Sequence, residues 1–416
     1  MVNVMINKKI NRIIIGLLAT LTSILILNTY SFLLRYYSVL RWIVVIIIVL
    51  CCVFGPKSWG FRFSKQLIKN NLLWIVFSIY LWLGCIFSYD KDSSVNYCIV
   101  FTSYMLLLFV GKMKKYYEKL FDILEMFLLF GAFSIYVNLL IPNIMIGPLR
   151  FFISPAAISN VEVFVSKHVF TGIFGDNANA AFAMNIGFAI SLIKYISKRV
   201  NKYLIQSIFF FGTLLFIGKR MLIIIPIIMI CISALLLVKS KSLKRNIVGV
   251  LILLILIFAI ATTIPSVEKL FFRNSDDLLT GRSTILWPIA FMMFNSRKMF
   301  GTGINTFNYM INTSNTNNTT LANWGYHAHN IYIQLLGETG LIGIVFLGSL
   351  LLVNITRTVR LIKSNSADRR ILSISMLLQV LWIIYGMTGN TFYYTAQLLV
   401  YIVAVGCMEA VRNEKK

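Results

Sequence analysis

The feature that most constrains this chain is a series of apolar runs, each long enough to cross a hydrocarbon core of about 30 Å as a helix of roughly 20 residues. Hydrophobic residues make up 58% of the 416 residues, and the mean hydropathy is +0.81. Because lipid offers no hydrogen bonds to the backbone, such runs are expected to be helical. The sequence therefore predicts an all-α polytopic integral membrane protein with about twelve transmembrane helices.

The predicted helices divide the chain into three parts. Residues 1–264 hold helices one to nine, residues 265–328 form one large extracytoplasmic loop with short amphipathic helices, and residues 329–416 hold helices ten to twelve. The predicted spans are residues 12–29, 39–55, 71–88, 95–110, 120–141, 171–193, 203–218, 221–238, 247–264, 329–355, 371–387 and 391–410. The first run lacks a small-residue cleavage site, so we interpret it as a retained helix.

The strong positive charge is explained by membrane orientation. The formal net charge is +25, which in a soluble protein would indicate nucleic acid. With both termini in the cytoplasm, about two thirds of the 39 Lys and Arg residues fall in inner segments, as the positive-inside rule requires. The charge therefore indicates topology, and we expect no nucleic-acid partner.

Two predicted outer segments are longer than ordinary loops, residues 142–170 and residues 265–328. Loops longer than about 15 residues are uncommon unless they have a function or are disordered. Within the second segment, residues 284–299 form an amphipathic pattern typical of a helix, with Ser283 or Thr284 near its N-cap. The Asn/Thr-rich stretch that follows has the composition of a surface loop.

Patterns for cofactors are missing from the sequence. The six cysteines fall in or beside apolar spans without metal-ligand spacing. The stretch "GTGINTF" has a Gly-x-Gly, but neither a preceding strand nor a third glycine, so it is a weak nucleotide motif. We expect no cofactor.

Two of the three histidines flank Ala328, where a polar segment meets an apolar one. If a helix begins near His329, steps of about 100° per residue place Gly340 within about 20° of the same face and Gly343 within about 40°. Such a groove of small residues admits another helix or a lipid chain. By the same arithmetic Glu338 points away from His329. The alternative is an interfacial histidine above a packing motif.

His327 lies on the side of His329 only if the chain between them is extended. A His-x-His pair could bind zinc, but a site needs a third and a fourth ligand. His168 and a few outer carboxylates are the only candidates, so metal is the less favoured interpretation.

Two arginines are candidates for binding phosphate. Arg220, next to Lys219, lies between two apolar runs with almost no loop, and Arg282 precedes the amphipathic helix. Guanidinium groups bind phosphate oxygens in a bidentate way, so the pair would suit a diphosphate. The alternatives are a snorkelling turn residue for Arg220 and Lys219 and an ordinary loop charge for Arg282.

A third polar group opens the span that begins near residue 171. Asp176, Asn177 and Asn179 stand in the stretch "TGIFGDNANAAFAMNIG". Asp or Asn at this position could cap the helix. The alternative is a buried polar contact with a sugar.

Together these features resemble the family of O-antigen ligases and Wzy-type polysaccharide polymerases. The family's most specific element is His-Asn, nine residues and then Gly-x-x-Gly, and His329–Asn330 with Gly340 and Gly343 fits it. Supporting features are Gly281–Arg282 before Trp287, "FGTGINTF", Arg220 and "GIFGDNANAAFAM". The resemblance covers residues 170–345, although "GKRM" departs from the Ser-Arg-Gly-like stretch of many members.

The resemblance implies a metal-independent membrane glycosyltransferase of GT-C-like architecture. It would join undecaprenyl-diphosphate-linked oligosaccharide repeat units of a capsule, exopolysaccharide or O-antigen at the outer face of the bacterial cytoplasmic membrane. His329 would be the general base, and Arg220 and Arg282 would bind the diphosphate. The supporting residues would be His327, Asn330, Asn177 and Lys219, with Gly340 and Gly343 facing lipid.

A ligase, a transporter and a structural scaffold are alternatives to a polymerase. The motifs do not separate a polymerase from a ligase that passes the glycan to another acceptor. The Ile/Lys/Asn-rich composition favours a polymerase. The partners of a polymerase would include membrane lipids and the flippase and chain-length regulator of the same pathway. A lipid-linked oligosaccharide transporter would have similar halves with broken helices, and a structural scaffold would tolerate loss of His329.

Overall fold

The computed structural model describes residues 2–27, 37–54, 65–109, 114–142, 146–147, 155–238, 240–263, 282–313, 327–364 and 368–414. Among these residues there are helices and turns but no strand, which confirms the all-α class. Gly281, the predicted loop residues 265–281 and most of the Asn/Thr-rich stretch lie outside the described residues.

The α-helices are α1 (Val2–Ile26), α2 (Tyr37–Phe54), α3 (Lys65–Asn70), α4 (Leu72–Ile86), α5 (Lys91–Met105), α6 (Lys114–Leu140), α7 (Pro155–Ser166), α8 (Asn177–Lys198), α9 (Asn201–Ile217), α10 (Arg220–Leu236), α11 (Lys241–Ala261), α12 (Trp287–Ser296), α13 (Phe307–Thr313), α14 (Ile331–Ser364), α15 (Arg369–Gly386) and α16 (Thr395–Glu414).

Several of these helices have the length and composition of membrane spans. Six are long and apolar enough to cross a membrane: Lys114–Leu140, Asn177–Lys198, Lys241–Ile260, Ile331–Ser364, Arg369–Gly386 and Thr395–Asn413. Shorter apolar helices include Leu72–Ile86 and Asn201–Ile217. The polytopic class is therefore supported, while the count of twelve stays a prediction.

The described helices fall into two compact units. Unit 1 comprises residues 1–60, 113–273 and 361–381, and unit 2 comprises residues 61–112, 274–360 and 382–416. The division follows contacts in space, so each unit collects segments that are distant in sequence.

Unit 1 is built around α8, whose residues from Ala180 to Tyr195 are all buried. Glycine lets α9 approach closely, because a Cβ on Gly187 would come within 2.5 Å of the Phe210 ring. Lys194 lies inside α8, one residue beyond the predicted span 171–193. It is 5% exposed and is compensated by nearby acids.

Unit 2 has an aromatic core. Trp382 and Tyr401 lie with ring centroids 4.6 Å apart, and Phe77 meets Phe101 edge to face at 5.7 Å. Tyr97 donates a hydrogen bond of 2.7 Å to the backbone oxygen of Phe392. These contacts fix the segment between α15 and α16, residues 387–394, which contributes to the site described below.

The predicted amphipathic helix of the outer segment is present with different ends. A π-helical turn runs over Arg282–Leu286 and leads into α12, which ends at Ser296. The α-helical N-cap is Leu286, and its side chain makes no capping hydrogen bond. Ser283 and Thr284 therefore lie inside a helical turn, so their predicted N-cap position is wrong. The buried side of α12 packs with α13 residues in one apolar cluster.

Candidate active site

The centre of the candidate site is the histidine turn, residues 327–330, directly before α14. Asn330 ends the turn as a helix cap, because its Oδ1 accepts hydrogen bonds from the backbone N–H groups of Tyr332 at 3.0 Å and Ile333 at 3.2 Å. Capping satisfies backbone donors that the first turn of a helix otherwise leaves unpaired. In this structure the Asn330 side chain therefore positions the histidine turn.

Ala328 anchors the middle of the turn. It is fully buried, its N–H donates to Gln334 Oε1 at 3.0 Å, and its carbonyl oxygen accepts from Trp287 Nε1 at 3.0 Å. These bonds come from α14 on one side and α12 on the other. The two flanking histidines therefore project from a backbone that is held in place.

His329 has a left-handed backbone, with φ of 51°. A residue other than glycine in this region is uncommon, and such strained positions cluster at functional sites. The ring is half-buried, and its Nδ1 lies 3.3 Å from Nδ2 of Asn390. Asn390 belongs to residues 387–394, so a distant segment of unit 2 orients the imidazole.

His327 has a different environment. Its ring stacks on Tyr393 with centroids 5.2 Å apart, and its Nδ1 lies 3.2 Å from Nε2 of Gln334. Burial lowers the pKa of His327 from 6.5 to about 4. The ring is therefore neutral at neutral pH and suits packing or hydrogen bonding rather than charge.

Glu338 holds the surroundings of His327 together. It is fully buried, and it accepts hydrogen bonds from the backbone N–H of Asn305 at 2.6 Å and of Phe307 at 3.1 Å. Further bonds come from Gln334 Nε2 at 3.0 Å and the Tyr393 hydroxyl at 2.8 Å. Gln334 and Tyr393 are also the two residues that contact His327. Sequence reasoning set Glu338 aside, whereas the structure makes it the acceptor that joins these elements.

The stretch "GTGINTF" is one of the elements that Glu338 fixes. Gly303 N–H donates to the Glu338 carbonyl at 2.8 Å, and Thr302 N–H donates to the Gly337 carbonyl at 3.3 Å. Gly301 and Gly303 have φ of 72° and 109°, and a Cβ on Gly301 would collide with the Glu338 backbone. Glycine is therefore required here for close approach to α14.

The expected straight helical face below His329 is wrong. Helix α14 begins at Ile331, and it is broken at Gly340, where φ is 65° and ψ is −169°. The break lets Leu341 N–H donate to the Lys298 carbonyl at 2.9 Å. A Cβ on Gly340 would meet the Met299 backbone, and one on Gly343 would meet Thr339. Both glycines are buried against protein, where sequence reasoning expected a lipid-facing groove.

Arg282 lies at the start of the π-helical turn and is half-buried. Burial lowers the pKa of the guanidinium below its ordinary value, and Tyr385 opposes this shift. Arginine nevertheless keeps its charge at neutral pH. Since Trp287 of the next turn bonds Ala328, the element that carries Arg282 is tied to the histidine turn.

Three other predicted residues lie in unit 1. Arg220 is the first residue of α10, Lys219 is its N-cap, and both are half-buried. The buried amide of Asn185 donates to the Leu222 carbonyl at 2.8 Å and so ties α8 to the first turn of α10.

Asn177 begins α8, and Asp176 caps that helix by accepting from the Asn179 N–H at 2.8 Å. The capping alternative is thus confirmed for Asp176.

Sequence reasoning missed four residues of unit 2: Gln334, Glu338, Asn390 and Tyr393. Gln334 and Glu338 stand four positions apart in an apolar run, and polar residues within such runs are expensive and usually functional. That signal could have found them. Asn390 and Tyr393 carry no comparable local signal, because their partners are distant in sequence.

Comparison with protein families matches residues 205–348 to the model described as O-antigen ligase. This match supports the O-antigen ligase and Wzy-type family. The family prediction is thereby confirmed over about a third of the chain. Members of this O-antigen ligase family are glycosyltransferase-like enzymes, ligases or polymerases. A comparison with curated proteins gave no match.

The matched segment contains most of the predicted site. Arg220, Arg282, the histidine turn and both motif glycines fall inside it, whereas Asn177 and Asn390 fall outside. Together with the apolar helices, the match to the O-antigen ligase family indicates an integral membrane protein, and that family implies lipid-linked glycans as substrates.

Proposed function

We propose that this protein is a polysaccharide polymerase that joins undecaprenyl-diphosphate-linked oligosaccharide repeat units at the outer face of the bacterial cytoplasmic membrane. Both termini would lie in the cytoplasm. The observation that carries the proposal is His329, which has a left-handed backbone and is oriented through Nδ1 by Asn390. It lies within the segment that matches the O-antigen ligase family.

The reaction needs one proton transfer and one leaving group. The hydroxyl oxygen of the acceptor sugar forms a bond to the anomeric carbon of the donor, and the bond from that carbon to the diphosphate oxygen breaks. His329 takes the hydroxyl proton as general base, and undecaprenyl diphosphate leaves with the electron pair of the broken bond. Imidazole suits this role because its unperturbed pKa of about 6.5 lies near neutral pH.

Positive charge stabilises the leaving group. As the bond breaks, negative charge grows on the diphosphate, and Arg282 and Arg220 bind it, with Lys219 in support. Arg282 suits this work because it is half-buried, where electrostatic interactions are stronger than in water. We expect no metal or cofactor, since the donor already carries its leaving group.

The remaining predicted residues support the sugars. His327 is neutral and stacked on Tyr393, so it offers a polar edge to a sugar hydroxyl. Asn177 stands at the start of α8, where its amide can bond a sugar. Asn330 acts through the cap that it provides to α14.

A ligase is the second candidate, because the matching family model is described as O-antigen ligase. In that reaction the same residues would act on the same donor, but the acceptor would be a different molecule. A polymerase would work with the flippase and the chain-length regulator of its pathway, whereas a ligase would need the acceptor molecule alone.

The experiment is a reconstituted reaction in lipid with undecaprenyl-diphosphate repeat units alone, followed by gel separation of the products. The test variant is His329→Asn, because asparagine tolerates a left-handed backbone while lacking the imidazole. His168→Asn is a matched control, since His168 also has a positive φ, 57°, and is exposed.

We expect a ladder of products from the wild type and the control. The His329→Asn rate should fall by about 10²- to 10⁴-fold, the usual contribution of a general base. A wild type that elongates nothing until a second acceptor is added would support the ligase. An undiminished ladder from His329→Asn would remove His329 as the base.

A further inference from the structure

Asn390 is the residue from which a further role follows. It is 1% exposed and lies in residues 387–394, between α15 and α16. Its carbonyl oxygen accepts hydrogen bonds of 2.9 Å from the N–H groups of both Tyr393 and Tyr394. These bonds fix its backbone, so its side chain meets His329 from a rigid support.

The neighbouring residue adds to that rigidity. The Thr391 carbonyl accepts from Trp382 Nε1 at 3.1 Å, and the Thr391 hydroxyl donates to the Trp382 carbonyl at 3.3 Å. Trp382 is itself buried in the aromatic core of unit 2. A segment held this firmly can select one arrangement of the histidine that it touches.

Two orientations of the Asn390 amide fit its contact with His329, and each selects a different tautomer. With Nδ2 toward the ring at 3.3 Å, the amide donates to an unprotonated Nδ1, and the single proton of the neutral ring sits on Nε2. With the amide turned over, Oδ1 accepts from a protonated Nδ1, and Nε2 carries the lone pair.

The second orientation gives the buried Oδ1 of Asn390 a hydrogen-bond donor. With Nδ2 toward the ring, Oδ1 of Asn390 is buried and has no hydrogen-bond partner among the described residues. Turning the amide gives Oδ1 the Nδ1–H as its donor and moves Nδ2 into the space that Oδ1 held, so the choice between the orientations rests on the base that the proposed function requires. Only this tautomer leaves Nε2 able to take a proton.

We propose that Asn390 is a positioning residue that holds neutral His329 with its proton on Nδ1, so that Nε2 removes the proton of the acceptor hydroxyl. The inference rests on the proposed function. During transfer the hydroxyl proton moves to Nε2, the other proton stays on Nδ1 and hydrogen-bonded to Oδ1 of Asn390, and the ring becomes imidazolium. Release of the Nε2 proton to water or to the departing diphosphate restores the starting state.

The choice of an amide has a chemical consequence. An aspartate at this position would also accept from Nδ1–H, but its charge would favour the imidazolium form of the ring. The neutral amide fixes the tautomer without adding a negative charge next to the imidazole. Asn390→Asp should therefore keep the tautomer, whereas Asn390→Leu should lose it.

Histidine scarcity makes the tautomer directly measurable. The chain has three histidines, so ¹⁵N-histidine-labelled protein in lipid gives few imidazole signals, and His329→Asn identifies those of His329. The spectra are recorded well above the ordinary histidine pKa of about 6.5, where an unperturbed ring is neutral. The matched control is Asn354→Leu, another buried asparagine of unit 2, whose amide donates to the Tyr401 hydroxyl at 3.3 Å.

The wild type, Asn390→Asp and Asn354→Leu should show His329 protonated on Nδ1, whereas Asn390→Leu should show a shift toward protonation on Nε2. Glycan transfer should fall about 10²-fold in Asn390→Leu, because a wrong tautomer removes the base. In Asn390→Asp the tautomer is kept, so the rate should stay within about tenfold of the wild type.

A wild-type ring protonated on Nε2, or an Asn390→Leu variant with unchanged tautomer and rate, would overturn the role of Asn390. The tautomer is read without any sugar substrate. A wild type that carries the expected tautomer but transfers no glycan would therefore overturn the proposed function alone.

Discussion

Two buried carboxylates, one in each unit, are stabilised in different ways. In unit 1, Glu125 Oε2 lies 2.6 Å from the Lys194 ammonium, which also pairs with Asp122 at 2.6 Å. In unit 2, Glu338 is bonded by two backbone N–H groups, an amide and a phenol. An ion pair links charged side chains of two helices, whereas four directional donors fix the relative positions of several segments.

The difference in partners predicts a difference in function. The Lys194 pair ties α6 to α8 and so contributes to stability. Glu338 ties α14 to "GTGINTF" and to residues 387–394, and it therefore fixes the surroundings of both histidines. We expect changes at Lys194 to affect folding and changes at Glu338 to affect transfer.

The largest loss of stability is expected from Lys194→Met, because removing one partner of a buried pair leaves an uncompensated charge and costs about 3–5 kcal/mol. The midpoint of thermal unfolding in detergent should fall well below that of the wild type. Transfer per folded molecule should stay at the wild-type level. A variant that folds normally but transfers poorly would contradict the structural role of this pair.

Glu338→Gln should reduce stability less than Lys194→Met does, but it should reduce glycan transfer more. The new amide presents an N–H₂ group to donors that need an acceptor, and one unsatisfied buried group costs about 1–3 kcal/mol. Transfer per folded molecule should fall about tenfold or more, because "GTGINTF" and the His327 surroundings lose their common acceptor. Glu125→Gln is the matched variant in unit 1, and an equal loss of transfer there would erase the distinction.

Tyr393→Phe should have a smaller effect. It removes the hydroxyl that donates to Glu338 at 2.8 Å and keeps the ring that stacks on His327. The free energy of unfolding should fall by about 1.5–3 kcal/mol if the Glu338 carboxyl group is charged and by about 1 kcal/mol otherwise. A double-mutant cycle with Glu338→Gln measures the coupling, and strictly additive effects would contradict a direct bond.

A separate effect is expected from pH. Burial lowers the pKa of His327 to about 4 in the folded protein. Between pH 6.5 and pH 4, His327 is therefore protonated in the unfolded chain and neutral in the folded protein. Stability should therefore fall as the pH is lowered through this window. His327→Gln should show a shallower fall in the unfolding midpoint, and an identical slope in both proteins would contradict the assignment.

Features governed by local sequence were predictable. The helical class follows from apolar runs, and the helix that begins at Arg220 follows from the change in polarity there. The element after Arg282 was predicted as a helix, although its first turn is π-helical. Its N-cap was misplaced because a serine or threonine is only one way to start a helix.

Features governed by distant contacts were not predictable. The sequence around Gly340 predicts a continuous helix, because the apolar pattern continues across the position of the break. His329 has a left-handed backbone and precedes the helix that begins at Ile331, so angular arithmetic that counts His329 as a helical residue does not apply. Asn390 lies 61 residues from His329, and no local pattern connects them.

The most direct test separates donor binding from chemistry in His329→Asn. Binding of the undecaprenyl-diphosphate-linked donor to protein in lipid and the single-turnover rate of glycan transfer are measured on the same preparation. If His329 removes the acceptor proton, donor affinity should change by no more than about twofold while the rate falls about 10²-fold or more. A loss of donor affinity that accounts for the whole loss of rate would contradict the account, because His329 would then hold the donor rather than accept the proton.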